Sequence, residues 1–178
     1  VLIIGIVSSV VLLSINVVGD DRDLRREAQR LASLVEVIAD EAELQGRDFG
    51  IEFMRQGYRF VEYDPFFDTW AEVVADDLLR PRNLPDDFQF GLIIEEKRIE
   101  LEERAADTGS SEPEEDDDDD RSRSALLDKY APHAMILSSG DVSPFQITVV
   151  RDTDDAEAIM RVLPSGEIET GEQADDLG

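Results

Sequence analysis

The sequence predicts an α+β fold in which one long N-terminal helix, first hydrophobic and then amphipathic, packs on a C-terminal antiparallel β-sheet or sandwich. Three observations predict it: an uncharged apolar run, a stripe of apolar residues at helical spacing behind it, and short segments of alternating hydrophobicity after Gly46. We expect the hydrophobic half of the helix at residues 1–19, the amphipathic half at 20–46, the β domain at 47–170 and a loose tail at 171–178.

The apolar run from Val1 to Val18 carries no charge and would form about 27 Å of helix, close to the ~30 Å hydrocarbon core of a bilayer. A cleaved secretory signal fits less well, because no small-residue cleavage site follows the run. A buried core helix also fits less well, because a helix that is apolar on every side is unusual in a soluble domain of this size. We therefore predict a membrane helix, and we expect further residues upstream because the chain does not begin with methionine. The side chains that carry this prediction are Leu2, Ile3, Ile4, Ile6, Val10, Leu12 and Leu13.

A second helical pattern follows the apolar run and ends at Gly46, a natural C-terminal cap. Its apolar residues are spaced four and three apart, which places them in one stripe opposite a charged face. They are Leu24, Ala28, Leu31, Val35, Ile38 and Ala42. Two uses of this helix stripe stay open: packing on the chain's own β domain, or contact with neighbouring subunits, especially toward the membrane. Gly19 and Asp20 would allow a break between the two patterns, although a continuous helix is preferred.

The alternating segments after Gly46 predict about seven or eight short strands. The first two, at 48–53 and 58–63, form a hairpin around a glycine-containing turn. The aromatic group that follows, Phe66 with Phe67 and Trp70, is assigned to the core or to a sheet edge. Further strands are predicted at 88–94, at 99–101, at 134–137, at 145–149, at 159–163 and at 167–170.

Residues 103–124 interrupt this pattern with glycine, serine, proline and the acidic run Glu114–Asp120. Such a stretch cannot bury enough apolar area to offset its ordering entropy, so we expect a disordered insert in the β domain. Consecutive carboxylates without the glycine and spacing of an EF-hand do not form a specific calcium site. We therefore interpret the run as a solvated linker.

The composition excludes several classes of function. The net charge of −26, from 43 acidic and 17 basic residues, repels phosphate backbones and argues against nucleic-acid binding. The chain has no cysteine, and His133 is the only histidine, which leaves too few ligands for zinc. Ser138, Ser139 and Ser143 lack a G-x-S-x-G elbow and are assigned to turns. We predict no enzyme, no catalytic or cofactor-binding residue and no metal site.

Four stretches of the chain carry a resemblance to a known family. They are Arg25–Leu31 behind the apolar run, Asp40–Ile51 followed by Gly57–Phe60, Leu79–Pro85, and Ile136–Phe145. They resemble the type IV pilin-like superfamily and, through Ile136–Phe145 above all, the H-type minor pseudopilins of type II secretion systems. The family's processing motif is a glycine before a phenylalanine-led start with glutamate at its fifth position. We expect that motif upstream of Val1.

The resemblance implies a single-pass protein of the bacterial inner membrane, processed and methylated by a prepilin peptidase, with its β domain in the periplasm. It implies assembly near the tip of a short filament with minor pseudopilins of the I, J and K types and the major G type. That filament supports export of folded proteins across the outer membrane. Two alternatives stay open: a minor pilin of a type IV pilus, and a membrane-anchored periplasmic binding or sensor domain with a ligand pocket.

Overall fold

Helix α1, Leu2–Gln45, runs without interruption across Gly19 and Asp20, so the two helical patterns form one helix of 44 residues. Gly46 ends it with a φ of +65°, and the N–H of Arg47 donates to the carbonyl oxygen of Ala42 at 3.1 Å. This is a Schellman-type closure, whose left-handed position glycine adopts without steric cost. The predicted cap is confirmed.

A computed structural model describes the backbone of residues 2–73, 77–103 and 130–171, and the side chains of these ranges from Asp21 onward. The run predicted to cross a membrane, Val1–Val18, therefore lies outside the described side chains. Within the described part of the chain, no helix has the length and apolar character needed to span a bilayer.

Ten strands follow α1 in the described ranges, and they pair antiparallel throughout. They are β1 (Phe49–Met54), β2 (Gly57–Asp64), β3 (Thr69–Glu72), β4 (Arg82–Asn83), β5 (Phe88–Ile94), β6 (Lys97–Ile99), β7 (Ala134–Ile136), β8 (Phe145–Arg151), β9 (Glu157–Val162) and β10 (Ile168–Gly171). Sheet 1 has the order β3-β2-β1-β7, with β4 beside β2, and sheet 2 has the order β10-β9-β8-β5-β6. The predicted α+β class is confirmed.

All eight predicted strands occur at or near their predicted positions, and two further short strands occur where none was predicted. The β1–β2 hairpin pairs Phe49 with Glu62 and Met54 with Gly57. Strands β3 and β4 are absent from the prediction, because four and two residues are too few to show a period of two. The predicted insert at 103–124 lies, apart from Glu103, outside the described residues.

The aromatic group after β2 requires a correction. Phe66 and Phe67 are not in the core: they lie in the β2–β3 turn with 92% and 70% of their surface exposed. The carboxylate of Asp64 accepts the N–H of Phe66 at 2.9 Å, so the chain reverses direction at this point. Trp70 does occupy a sheet edge, on β3, with its ring centroid 5.3 Å from that of Tyr63.

The core lies between α1 and the two sheets. Helix α1 contacts β8, β9 and β10 of sheet 2 and β7 of sheet 1. The alternation along β8 buries Phe145, Ile147 and Val149. Phe53 of β1 meets Phe90 of β5 edge to face, with 6.0 Å between ring centroids, and so joins the two sheets.

The helix stripe is buried within the chain's own domain. None of its members is more than 1% exposed, from Leu24 at one end to Ala42 at the other. Of the two uses left open by the sequence, packing on the β domain therefore applies along the whole stripe. Contacts of α1 with another subunit must use its remaining faces.

Candidate assembly surfaces

The serine-rich turn after β7 is held by its own polar groups. The backbone N–H of Ser138 donates to Asp48 at 2.7 Å, and the hydroxyl of Ser139 donates to Asp141 at 2.8 Å. The hydroxyl oxygen of Ser143 accepts a backbone N–H from β7 at 3.2 Å. Ser138 and Ser139 lie in the turn, as predicted, whereas Ser143 follows it and pairs with β7. Among the described residues, no group of three or more histidines and carboxylates is placed to hold a metal ion.

His133 extends the edge of sheet 1 beyond the start of β7. Its backbone N–H donates to the carbonyl oxygen of Ile51 at 2.8 Å, and its Nδ1 accepts the N–H of Phe53 at 3.1 Å. The imidazole thus pairs a backbone donor of β1 that β7 does not reach. Burial lowers the pKa of His133, against the opposing effect of the nearby carboxylates of Glu52 and Glu102.

We expect the protein to lose stability as the pH falls from neutral to below 6.5 because of His133. Its folded-state pKa is below the ordinary 6.5, so the unfolded chain binds the proton more readily. The contribution of His133 to the free energy of unfolding is fully present above pH 6.5 and is lost as the pH falls through the lowered folded-state pKa. Urea unfolding across this range measures the loss.

His133→Gln is the control for this pH dependence, because its amide oxygen can accept the N–H of Phe53 without titrating. The variant should show a flatter profile, and equal slopes in the two proteins would contradict the assignment. Asp154 does not interfere, because hydrogen bonds from Arg151 hold its pKa below the ordinary 3.8. The contribution of Asp154 to stability is therefore lost only at a pH below the range in which His133 titrates.

Exposed apolar side chains surround the C-terminal end of α1. Leu44 is 82% exposed, and Leu137, just after β7, is 40% exposed. A cleft of about 560 Å³ separates the end of α1 from the β2–β3 turn, with Phe66 on its wall. We call Leu44, Phe66, Phe67, Leu137 and this cleft the distal surface. Two adjacent, largely exposed phenylalanines beside a cleft are typical of a protein contact.

The stretch Ile136–Phe145 lies against the same end of α1. Its turn depends on Gly140, which has a φ of +84°. A Cβ atom there would lie 3.5 Å from the carboxylate of Glu43 on α1. The hydrogen bond from Ser138 to Asp48 ties the stretch to the α1–β1 junction. It therefore adjoins the distal surface.

Four exposed arginines form a basic patch on the first turns of α1 whose side chains are described. The patch, which we call the arginine face, consists of Arg22, Arg25, Arg26 and Arg30, and it surrounds Gln29 and Ser33. Arg26 pairs with Asp23 at 3.0 Å, and Arg30 pairs with Glu27 at 3.1 Å. Three of these residues, Arg25, Arg26 and Arg30, belong to the charged face predicted opposite the helix stripe, for which the sequence indicated no role.

A buried guanidinium connects α1 to sheet 2. The side chain of Arg151, at the end of β8, is only 3% exposed and donates to Asp21 of α1 at 3.1 Å. It also donates through two nitrogens to Asp154, at 2.8 and 2.7 Å. Such a paired, planar geometry suits arginine and not lysine. Strand alternation along β8 could have indicated that position 151 points inward.

The comparisons with known proteins agree with one another. The chain is 27% identical to the type II secretion system protein H of Pseudomonas aeruginosa over 157 residues, which are 88% of this chain and 80% of that protein. It is 25% identical to the type II secretion system protein H of Aeromonas hydrophila over 161 residues, 90% of this chain and 80% of that protein. No family model matches the chain.

Solved structures share the fold. The minor pseudopilin EpsH from the type II secretion system of Vibrio cholerae superimposes with a TM-score of 0.62 at 19% identity, covering 86% of this chain and 98% of that one. The solution structure of E. coli GspH gives a TM-score of 0.55 at 16% identity, covering 88% of this chain and 92% of that one.

Proposed function

We propose that this chain is an H-type minor pseudopilin of a type II secretion system, a structural subunit that assembles into the pseudopilus. The observation that carries the proposal is the match to two relatives, both named type II secretion system protein H. The match spans 80% of the length of each relative. The fold is the one found in EpsH and GspH. The stretch Ile136–Phe145 supports the H-type in particular.

We infer that the protein acts in the bacterial envelope, as its relatives imply. The finer placement rests on the sequence: Val1–Val18 would form about 27 Å of apolar helix, close to the ~30 Å hydrocarbon core, and we propose that it crosses the inner membrane. The β domain would then lie in the periplasm. A structural role requires no catalytic residue, and the serines and histidine described above serve turns and strand pairing.

Assembly moves the apolar run from lipid to a contact with neighbouring helices. Small residues such as Gly5, Ser8 and Ser9 allow helices to approach closely in an apolar medium. The helix stripe is already buried, so we assign contacts between globular parts to the distal surface. The partners we propose are the I, J and K minor pseudopilins and the major G type.

Co-purification from the envelope tests the function and the surface together. Tagged wild-type protein should retain the I, J and K subunits, whereas Phe66→Ser with Phe67→Ser should lose most of this association. These side chains are 92% and 70% exposed, so their loss removes partner contacts and not core packing. Leu78→Ser is the matched control, because Leu78 is another exposed apolar residue, at 43%.

The outcomes separate the alternatives. Retention of subunits of a type IV pilus by the wild-type protein would favour the minor pilin, which differs in its partners. Purification without any pilin-like partner would favour a membrane-anchored binding or sensor domain. Full association of the double variant would overturn the role of the distal surface alone.

A further inference from the structure

Sheet 2 has a face that points away from the core, because side chains alternate along its strands. Leu92, Ile147 and Met160 are 0% exposed and point inward, so their sequence neighbours point outward. Paired residues share a side of the sheet, which arranges the outward side chains in rows across the strands. We call two of these rows the outer face: Arg98, Ile93, Gln146, Arg161 and Glu169 in the first, and Gly91, Thr148 and Ile159 in the second.

The guanidinium group of Arg161 is directed to the centre of the outer face. Its Nε and Nη2 atoms both donate to the side-chain oxygen of Gln146 on β8, at 3.1 and 2.8 Å. Glu169 faces Arg161 from the opposite side, on β10, and forms no ion pair with it in the described structure. The neutral amide of Gln146 satisfies two donors but leaves the positive charge of the guanidinium group uncompensated.

The guanidinium group of Arg98 reaches the same centre from the other edge of the sheet. Arg98 is exposed on β6, and its Nη2 atom lies 3.5 Å from the position that a Cβ atom of Gly91 would occupy on β5. Gly91 pairs with Thr148, so Gln146 is its diagonal neighbour, about 7–8 Å away in an antiparallel ladder. The two guanidinium groups are therefore close enough for one carboxylate to contact both.

Other arginines of this chain hold carboxylates of their own. Arg47, Arg59 and Arg151 pair with carboxylates at 2.7, 2.6 and 3.1 Å. Internal partners are abundant, since the sequence has 43 acidic and 17 basic residues. Within the described ranges, Arg98 and Arg161 nevertheless have no ion-pair partner. Their charges are therefore available to a group from outside the chain.

The groups between the two arginines define the chemistry of a ligand. The oxygen of Gln146 is occupied by Arg161, so its amide presents only N–H donors, and Thr148 adds a hydroxyl group. Guanidinium groups bind carboxylates through planar, charge-assisted hydrogen bonds. The centre of the outer face therefore fits the side chain of an aspartate or a glutamate.

The position of these groups favours a protein carboxylate over a lipid headgroup. At one end of β8, Arg151 contacts Asp21, which lies just behind the apolar run. Gln146 is at the other end of β8, about 17 Å away along the strand. It follows the stretch Ile136–Phe145, which lies against the C-terminal end of α1. A neighbouring globular domain is therefore the accessible source of a carboxylate.

We propose that Arg98 and Arg161 form a carboxylate-binding site on the outer face of sheet 2. Its ligand is an aspartate or glutamate of a neighbouring pseudopilin of another type, an assignment that rests on the proposed function. A second copy of this chain is a poorer partner, because two chains of net charge −26 repel one another. The site adds a contact that depends on salt to the apolar contact of the distal surface.

Co-purification of the tagged full chain from envelopes in an uncharged detergent tests the site. Arg98→Gln with Arg161→Gln removes both positive charges. Arg55→Gln with Arg80→Gln is the matched control, because it removes the same charge from exposed arginines outside both the outer face and the distal surface.

Gln146→Glu is a second test variant, which fills the site from within the chain. A carboxylate at this position would pair with Arg161 and so compete with the carboxylate of a partner. Gln29→Glu makes the same chemical change at an exposed position on α1 and serves as its control. Thermal unfolding followed by circular dichroism compares the folding of all four variants with that of the wild-type protein.

In about 0.05 M salt, we expect each test variant to bind the I, J and K subunits about tenfold more weakly than the wild-type protein does, because charge-assisted hydrogen bonds are lost. The controls should match the wild-type protein. The difference should disappear in about 1 M salt, where exposed charges are screened. The weaker association of the variant Phe66→Ser with Phe67→Ser should persist there, since it removes apolar contacts.

The outcomes separate this site from the proposed function. Wild-type association of both test variants, or an equal loss in the controls, would overturn the site while the function stands. Wild-type protein that retains no pilin-like subunit would overturn the function and, with it, the partner assigned to this site. Homodimers that form in the wild-type protein and are lost in both test variants would overturn the assignment to another subunit and identify a second copy as the ligand.

Discussion

Phe53→Ala is expected to lower the free energy of unfolding by about 3–5 kcal/mol. The Phe53 side chain is only 1% exposed and extends from sheet 1 to two strands of sheet 2. Its ring centroid lies 6.0 Å from that of Phe90 on β5 and 5.4 Å from that of Phe145 on β8. Truncation leaves a cavity between two hydrogen-bonded sheets, which can close around it only in part.

Urea and thermal unfolding followed by circular dichroism measure this loss, which should lower the melting temperature by about 10 °C or more. Phe66→Ala removes the same atoms from a side chain that is 92% exposed and serves as the control. We expect it to stay within about 0.5 kcal/mol of the wild-type protein. Similar losses in the two variants would show that Phe53 does not join the sheets.

Leu13→Asp is expected to abolish secretion in a strain that depends on this protein. A carboxylate near the centre of a membrane helix costs about 3 kcal/mol on insertion. A filament of packed apolar helices would exclude the same charge. Val10→Asp should behave alike, because the sequence places both residues within the apolar run.

Complementation of a deletion strain, with exoprotein measured in the culture medium, checks this effect. Val37→Asp introduces the same charge on the same helix, at a side chain that is 45% exposed and lies outside the distal surface, and should still support secretion. Normal secretion by the Leu13 variant would remove the support for a membrane and filament role of the apolar run.

Much of the fold was predictable because its signals are local. The stripe from Leu24 to Ala42 repeats at helical spacing, and burial alternates along the whole of β8 and along β5 as far as Ile93. The exposure of Phe66 and Phe67 was not predictable from hydrophobicity. It depends on the turn that Asp64 caps and on a strand, β3, too short to show a pattern.

The polar contacts depend on register, which one strand alone does not reveal. His133 pairs with Phe53 because β7 begins one residue later, opposite Ile51. Arg151 reaches Asp21 because sheet 2 lies against α1. The end of β8 is thereby next to the first turns of α1 whose side chains are described. Each contact joins residues far apart in the sequence, so spacing within any one segment could not predict it.

The continuity of α1 has a mechanical consequence. Its 44 residues correspond to about 66 Å of rigid rod, without a swivel at Gly19. The stripe and the clamp at Arg151 fix the second half of that rod to the β domain. A force applied to the apolar end would therefore reach the globular end without a flexible joint between them.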